Sequence, residues 1–323
     1  MRLNLFLLEL SQSPDFFRHL DVLAAMAGQA AGAARYFSTT EQSFAALDPA
    51  DPIWFVPVGI VVPGAVVGID ARPELLATGQ LQMLERSGRG ELVTTASSPA
   101  EHLRLYMAQS AMRLRLGGDR ALFAEQRKVV EAVVGSPLWS PGSIDSAESL
   151  YDWLWSQGDR SPYTASMQTE EDPTATLRIL DEAIERAPTS AFLGYEAAAN
   201  ALKLEDFDRH ALYTARAVRS PLWTRYNVSF RDIDIDVRYS REDRPDLISE
   251  AEVELLTQPE PERWEAAARA EPDRLAAARL AVDATYLSGL DDRLVDQLLR
   301  PLFTELGWRS ALRLCDFRQD KLQ

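Results

Sequence analysis

The chain has 323 residues, 46% hydrophobic and 26% charged, the profile of a globular protein of one or two domains with a sizeable core rather than a disordered one. Its 49 acidic against 34 basic residues give a net charge of −15, which repels phosphate backbones and anionic lipid and argues against sequence-independent nucleic-acid binding. The one cysteine, Cys315, excludes an intramolecular disulfide and a multi-cysteine zinc site and fits a reducing compartment.

The opening MRLNLFLLEL has only a short apolar core, interrupted by Glu9, so it reads as a retained structural element and the protein as cytoplasmic. The sequon Asn227-Val228-Ser229 carries no meaning in that setting. Ser13-Pro14-Asp15 has the chemistry of a helix start, with Ser13 as cap and Pro14 in the first position, and predicts a helix running towards Tyr36. The most apolar stretch, IWFVPVGIVVPGAVVGI at 53–69, reaches the lower length limit of a membrane span. Pro57, Pro63 and the glycines would break such a helix. Its Val and Ile content and the Pro63-Gly64 pair predict two short buried strands joined by a turn. The segment RPELLATGQLQMLERSGRGELVTT follows, with turn chemistry at SGRG, and residues 1–98 read as a mixed α/β region.

From Ser98 onward the pattern is helical, and 99–323 reads as one helical domain. Leu103, Tyr106, Met107, Ser110 and Leu114 recur at three- and four-residue spacing, and Leu122, Phe123, Gln126, Val129, Val130 and Val133 mark a second helix. This phrase occurs three times. A helix begins after Pro99, Pro188 or Pro272, and a turn closes with Asp119-Arg120, Asp208-Arg209 or Asp292-Arg293. A second helix then runs to Pro137-Leu138-Trp139, Pro221-Leu222-Trp223 or Pro301-Leu302-Phe303, where proline is read as a stop. The starts lie 89 and 84 residues apart, room for about two hairpins per unit. The second helix shortens by about one turn per block, which preserves its buried face. The plainer alternative is a set of independent hairpins of biased composition.

ALKLEDFDRHALYTARAV resembles a tetratricopeptide repeat crossing its turn, and LDEAIERAP resembles the end of such a unit's second helix. The match spans 177–221. Glu205 occupies the family's usual glycine, His210 stands where a small alanine is usual, and the closing proline is displaced. The resemblance implies a mainly α fold of helical hairpins, an α-solenoid, and that family's common role of holding a peptide or protein partner on a curved surface.

Catalytic motifs are absent from the sequence: no HExxH, nucleophile elbow, phosphate loop or dinucleotide fingerprint. The histidines His19 and His102 lie on predicted amphipathic helices and read as structural or solvent-facing. Cys315, in ALRLCDF, reads as a buried inert thiol. Two segments stand out as binding surfaces. In FRDIDIDVRY, Asp232, Asp234 and Asp236 alternate with Ile233, Ile235 and Val237, so an extended strand would set three carboxylates on one face. Such a face would grip arginines of a partner or hold Ca²⁺ or Mg²⁺, although Val237 and Asp243 spoil an EF-hand loop. The plainer reading is a solvated edge strand whose charges deter aggregation. In LYDWLWSQGDRSPYTASMQTEEDP, Tyr151, Trp153, Trp155 and Tyr163 cluster beside a long polar loop, a composition typical of binding hot spots. Capping of a hydrophobic core is the plainer alternative there.

The sequence therefore reads as a non-enzymatic, bacterial-type adaptor, chaperone or inhibitor, an immunity-type protein among them. It would bind a basic protein or peptide, without cofactor, nucleic acid or membrane, through Tyr151, Trp153, Trp155, Tyr163, Asp232, Asp234 and Asp236. One alternative is an enzyme of unfamiliar family with a divalent metal at the Asp232/Asp234/Asp236 strand. Another is an accessory subunit that recognises a precursor peptide for a partner enzyme.

Overall fold

The computed structural model describes residues 51–61, 65–77, 80–86, 92–114, 147–168, 172–224, 237–242, 244–258 and 260–322, with five helical residues between 121 and 131. The opening element and the helix expected from Ser13 lie outside the described residues. Contacts group the chain into two compact units, one of residues 1–47, 56–88 and 94–169, the other of 48–55, 89–93 and 170–323.

A four-stranded antiparallel sheet runs in sequential order, β1 (Phe55–Val61), β2 (Ala65–Asp70), β3 (Met83–Arg86) and β4 (Leu92–Ala96), with most of its residues in the first unit. β1 and β2 are the strand pair predicted from 53–69, so the β-branched run was divided where its Pro-Gly pair indicated. The β2–β3 register sets Val66 opposite Arg86 and Ile69 opposite Met83. Between these strands runs α1 (Pro73–Ala77), set up by Asp70, whose buried carboxylate accepts the backbone N–H and the guanidinium fork of Arg72. The helix predicted after Ser98 is α2 (Pro99–Leu114), with Ser98 Oγ accepting the Glu101 N–H and the Glu101 carboxylate reaching back to Ser97. Leu103, Tyr106 and Met107 of its predicted apolar face are buried, together with Leu105 and Ala108. α3 (Ala147–Ser156) and α4 (Pro162–Ser166) complete the described part of this unit.

The second unit is helical. α5 (Pro173–Arg186), α6 (Ala191–Lys203) and α7 (Phe207–Arg219) follow one another through short turns, each packing on the next. Asp172 and Asp206 cap α5 and α7, their side chains accepting the N–H groups of Thr174 and Arg209. α6 and α7 approach closely because Gly194 lacks a side chain: a Cβ there would lie 2.9 Å from that of Ala217. A short 3₁₀ turn, Leu222–Thr224, then places Leu222 and Trp223 in the core. Pro221 thus stands just past the end of α7, as its reading as a stop requires.

Beyond it come α8 (Glu250–Leu256), opened by a Ser249–Glu252 capping box, then α9 (Pro261–Ala270) and α10 (Arg274–Leu287), which pack together. α11 (Asp292–Leu294) passes through a π-helical stretch, Val295–Leu299, into α12 (Arg300–Glu305), and α13 (Arg309–Leu322) closes the chain. Trp54, Phe303 and Trp308 form an aromatic cluster in this unit, and buried Arg318 donates to the carbonyls of Pro52 and Phe55.

Three expectations need correction. Pro301 is no stop: it sits in the first turn of α12, where the missing N–H is tolerated, and the π-helical stretch carries the chain into it. Asp208-Arg209 and Asp292-Arg293 do not close turns but lie inside the first turn of α7 and α11, behind the true caps Asp206 and Asp291. Residues 237–242 are helical, so the extended reading of FRDIDIDVRY fails from Val237 onward. The chain is thus mainly helical with a small N-terminal sheet.

Candidate functional site

The aromatic segment is organised by a buried aspartate. The turn that follows α3 passes through Gly158, whose φ of +87° is the left-handed geometry that glycine supplies, and the Asp159 N–H returns to the Leu154 carbonyl. The Asp159 carboxylate, 2% exposed, then accepts from the Ser161 backbone N–H (3.2 Å), the Ser161 hydroxyl (3.0 Å) and the Thr164 hydroxyl (2.5 Å). Burial pushes its carboxyl above the usual range, and the hydrogen bonds from Thr164 and Ser161 oppose that shift. The result is a rigid start for α4, with Ser161 as its cap.

This loop places the four predicted aromatics unequally. Tyr151 and Tyr163 meet edge to face with centroids 5.4 Å apart, and Tyr151 is core, 6% exposed, its hydroxyl accepting from Gln109 at 3.1 Å. Burial, first, and the neighbouring Tyr163 push its phenol upward. Half-buried Trp153 packs against the core of Leu105, Leu150 and Leu154. Trp155 is also half-buried and carries the Arg160 guanidinium 3.9 Å above its ring, fixed by hydrogen bonds to the Trp155 and Asp159 carbonyls. Trp153, Trp155 and Tyr163 are therefore the members that retain surface.

Asp232, Asp234 and Asp236 lie outside the described residues, as does His19. Among the described residues no three His, Cys, Asp or Glu side chains are placed to hold a metal ion, and no helix is long and apolar enough to cross a membrane. His102 is structural. Its Nδ1 lies 3.0 Å from the Thr95 hydroxyl, which also lies 3.3 Å from the Met83 carbonyl, so ring, hydroxyl and carbonyl form one buried polar chain. Burial lowers its pKa to about 4, leaving a neutral imidazole. Cys315 is fully buried, and burial raises its thiol to about 12, as an inert core cysteine requires.

A second surface, which no motif announced, is an open cleft of about 620 Å³ in the helical unit. Its walls come from the end of α7, from α8, and from the α9–α10 hairpin. Leu255, Leu256, Trp264 and Leu280 give it an apolar floor, and Ala266, Ala267, Ala270 and Ala276 keep it open. Trp264 is locked from below, 1% exposed and donating its indole N–H to the Gln258 carbonyl at 3.0 Å. The rim is charged. Arg219 donates to Glu252 at 2.9 Å and to the Leu247 carbonyl, tying α7 to α8. Burial raises the Glu252 carboxyl, but hydrogen bonds from Ser249 and Arg219 outweigh it and hold the group below its usual value. Arg263 pairs with Glu260 at 2.6 Å. Glu254, Glu271 and Asp283 supply the other carboxylates. The only sequence signal for this cleft was the alanine run through EAAARAEPDRLAAARLA.

Comparison with protein-family models, with curated proteins and with solved structures gives no match.

Proposed function

We propose that this protein is a non-enzymatic binding protein, an adaptor, chaperone or inhibitor, that holds a segment of another protein on its helical unit. The observation that supports this best is the cleft among α7, α8, α9 and α10. It combines an apolar floor, small side chains along its walls and a charged rim on which Arg219 and Arg263 are held by ion pairs. Clefts of several hundred cubic ångströms with a few placed polar groups are the usual form of a binding site. The tetratricopeptide-like phrase around 177–221, three successive packed helices, is consistent with a hairpin array that presents such a surface. The Trp155–Arg160 pair and Trp153 form a second contact surface, since half-exposed Trp and Arg are enriched in interface hot spots.

The test is site-specific photo-crosslinking in a native lysate. A photoreactive phenylalanine analogue is placed at Ala270 in the cleft, at Trp155, or at exposed Glu182 as control. A discrete adduct from position 270, with none from 182, is the expected result. Adducts from neither 270 nor 155 would remove the binding assignment.

A further inference from the structure

We infer that the cleft receives a basic amphipathic helix, its apolar face on the floor and its lysine or arginine side chains on Glu254 and Glu271 at the rim; this inference rests on the protein-binding reading above. Shape gives the first reason. The floor, half-exposed at Leu255 and Leu280, lies along packed helices and is bordered by exposed Ala266 and Ala270, so another helix comes close enough to seat its side chains between them. The volume suits a few side chains, and an amphipathic helix presents about three or four per two turns.

Charge gives the second reason. Three arginines line the cleft: Arg219, committed to Glu252, Arg263, committed to Glu260, and the exposed Arg279, which also has an interaction partner. Glu254 is exposed and faces the opening with no ion pair among the described residues, and Glu271 uses one oxygen to accept the Asp273 N–H. Asp283, 7% exposed, accepts from Leu222 at one oxygen and stands at the inner end of the lining. A cationic side chain entering along the apolar floor meets carboxylates. An anionic one meets the same carboxylates, and Arg219, Arg263 and Arg279 each already have a partner. The overall charge of −15 adds long-range attraction for the same sign.

The probe is a pair of fluorescent synthetic helices with one leucine-and-alanine face, identical except that every lysine of one is glutamate in the other. Anisotropy is read with the full chain at low and high salt. The lysine peptide is expected to bind at least about tenfold more tightly than its glutamate twin, with salt weakening the difference. Glu254→Lys with Glu271→Lys should abolish that preference, and Ala270→Trp should block the lysine peptide. Ala270 is exposed, so the bulky side chain fills the opening rather than the core, and circular dichroism checks the fold. Equal binding of the twins, or lysine-peptide binding unchanged by Ala270→Trp, overturns the inference. If neither peptide binds while native-partner capture still depends on Ala270, the basic-helix inference falls and the binding reading stands. If that capture ignores the cleft as well, both fall.

Discussion

Asp283, near the middle of α10, accepts a hydrogen bond at 3.0 Å from the backbone N–H of Leu222, 61 residues earlier in the chain. Leu222 follows the proline that ends α7, so its amide has left one helix without entering another. A buried amide in that position needs an acceptor. Asp283 supplies it and at the same time joins the α7 stop to the α9–α10 hairpin, at the inner edge of the cleft.

Removing that acceptor should therefore loosen the cleft from within. Asp283→Ala is expected to destabilise the helical unit by about 1–3 kcal/mol, the cost of leaving a buried donor unpaired. Asp283→Asn, which keeps an acceptor oxygen, should lose clearly less. Urea unfolding measures both; an alanine variant as stable as the parent would contradict the assigned role.

Glu205 sits at φ +57°, the left-handed geometry that glycine adopts freely, and makes no hydrogen bond or ion pair through its side chain among the described residues. This is the position where the tetratricopeptide pattern has glycine. The left-handed conformation costs a non-glycine residue about 1–2 kcal/mol, while glycine forfeits about 0.5–1 kcal/mol of chain entropy. Glu205→Gly should stabilise the α6–α7 hairpin by roughly 0.5–1 kcal/mol, read as a higher urea midpoint. A lower midpoint would show that the turn is not strained.

The neighbouring close approach predicts the opposite sign. Any side chain at Gly194 meets Ala217 at its Cβ and backbone, neither of which is the far end of a flexible group. Gly194→Val should destabilise by about 1–3 kcal/mol, as overpacking does. Pairing it with Ala217→Gly should recover part of the loss, which a double-mutant cycle in urea would detect.

Acid should act through Glu265. Hydrogen bonds first from Arg293 and then from Arg269 lower its carboxyl from 4.5 to about 2. A pKa depressed by folding contributes stability above the unfolded value and loses it as pH falls, here between about 4.5 and 2. The stability gap between the parent and Glu265→Gln should thus be steady above pH 5 and shrink towards pH 2. A gap independent of pH across that window would contradict the clamp.

Much of the fold was legible because it is written locally. The division of 53–69 into two strands follows from proline and glycine within a β-branched run. The starts of α2, α6 and α10 lie at or just after Pro99, Pro188 and Pro272, the prolines read as helix openings. The misread Pro301 shows the limit of that logic, since proline stops a helix or opens one according to the turn it occupies. Tyr151 and Trp155, one helical turn apart on α3, differ in burial because Tyr151 joins the core of Leu105, Ala108, Leu150 and Leu154 and Trp155 does not. The cleft was illegible for a related reason: its carboxylates, arginines and alanines come from four helices spread over 218–283, and only packing brings them together.

Binding of another protein by this chain is tested by affinity capture of the tagged chain from its native lysate, at moderate and at high salt, with mass-spectrometric readout. One stoichiometric protein partner is expected, retained at moderate salt, weakened at high salt and lost from the Ala270→Trp variant. Capture of no stoichiometric partner from cells that express the physiological neighbours, or equal capture by the parent and the filled-cleft variant at both salts, would contradict it.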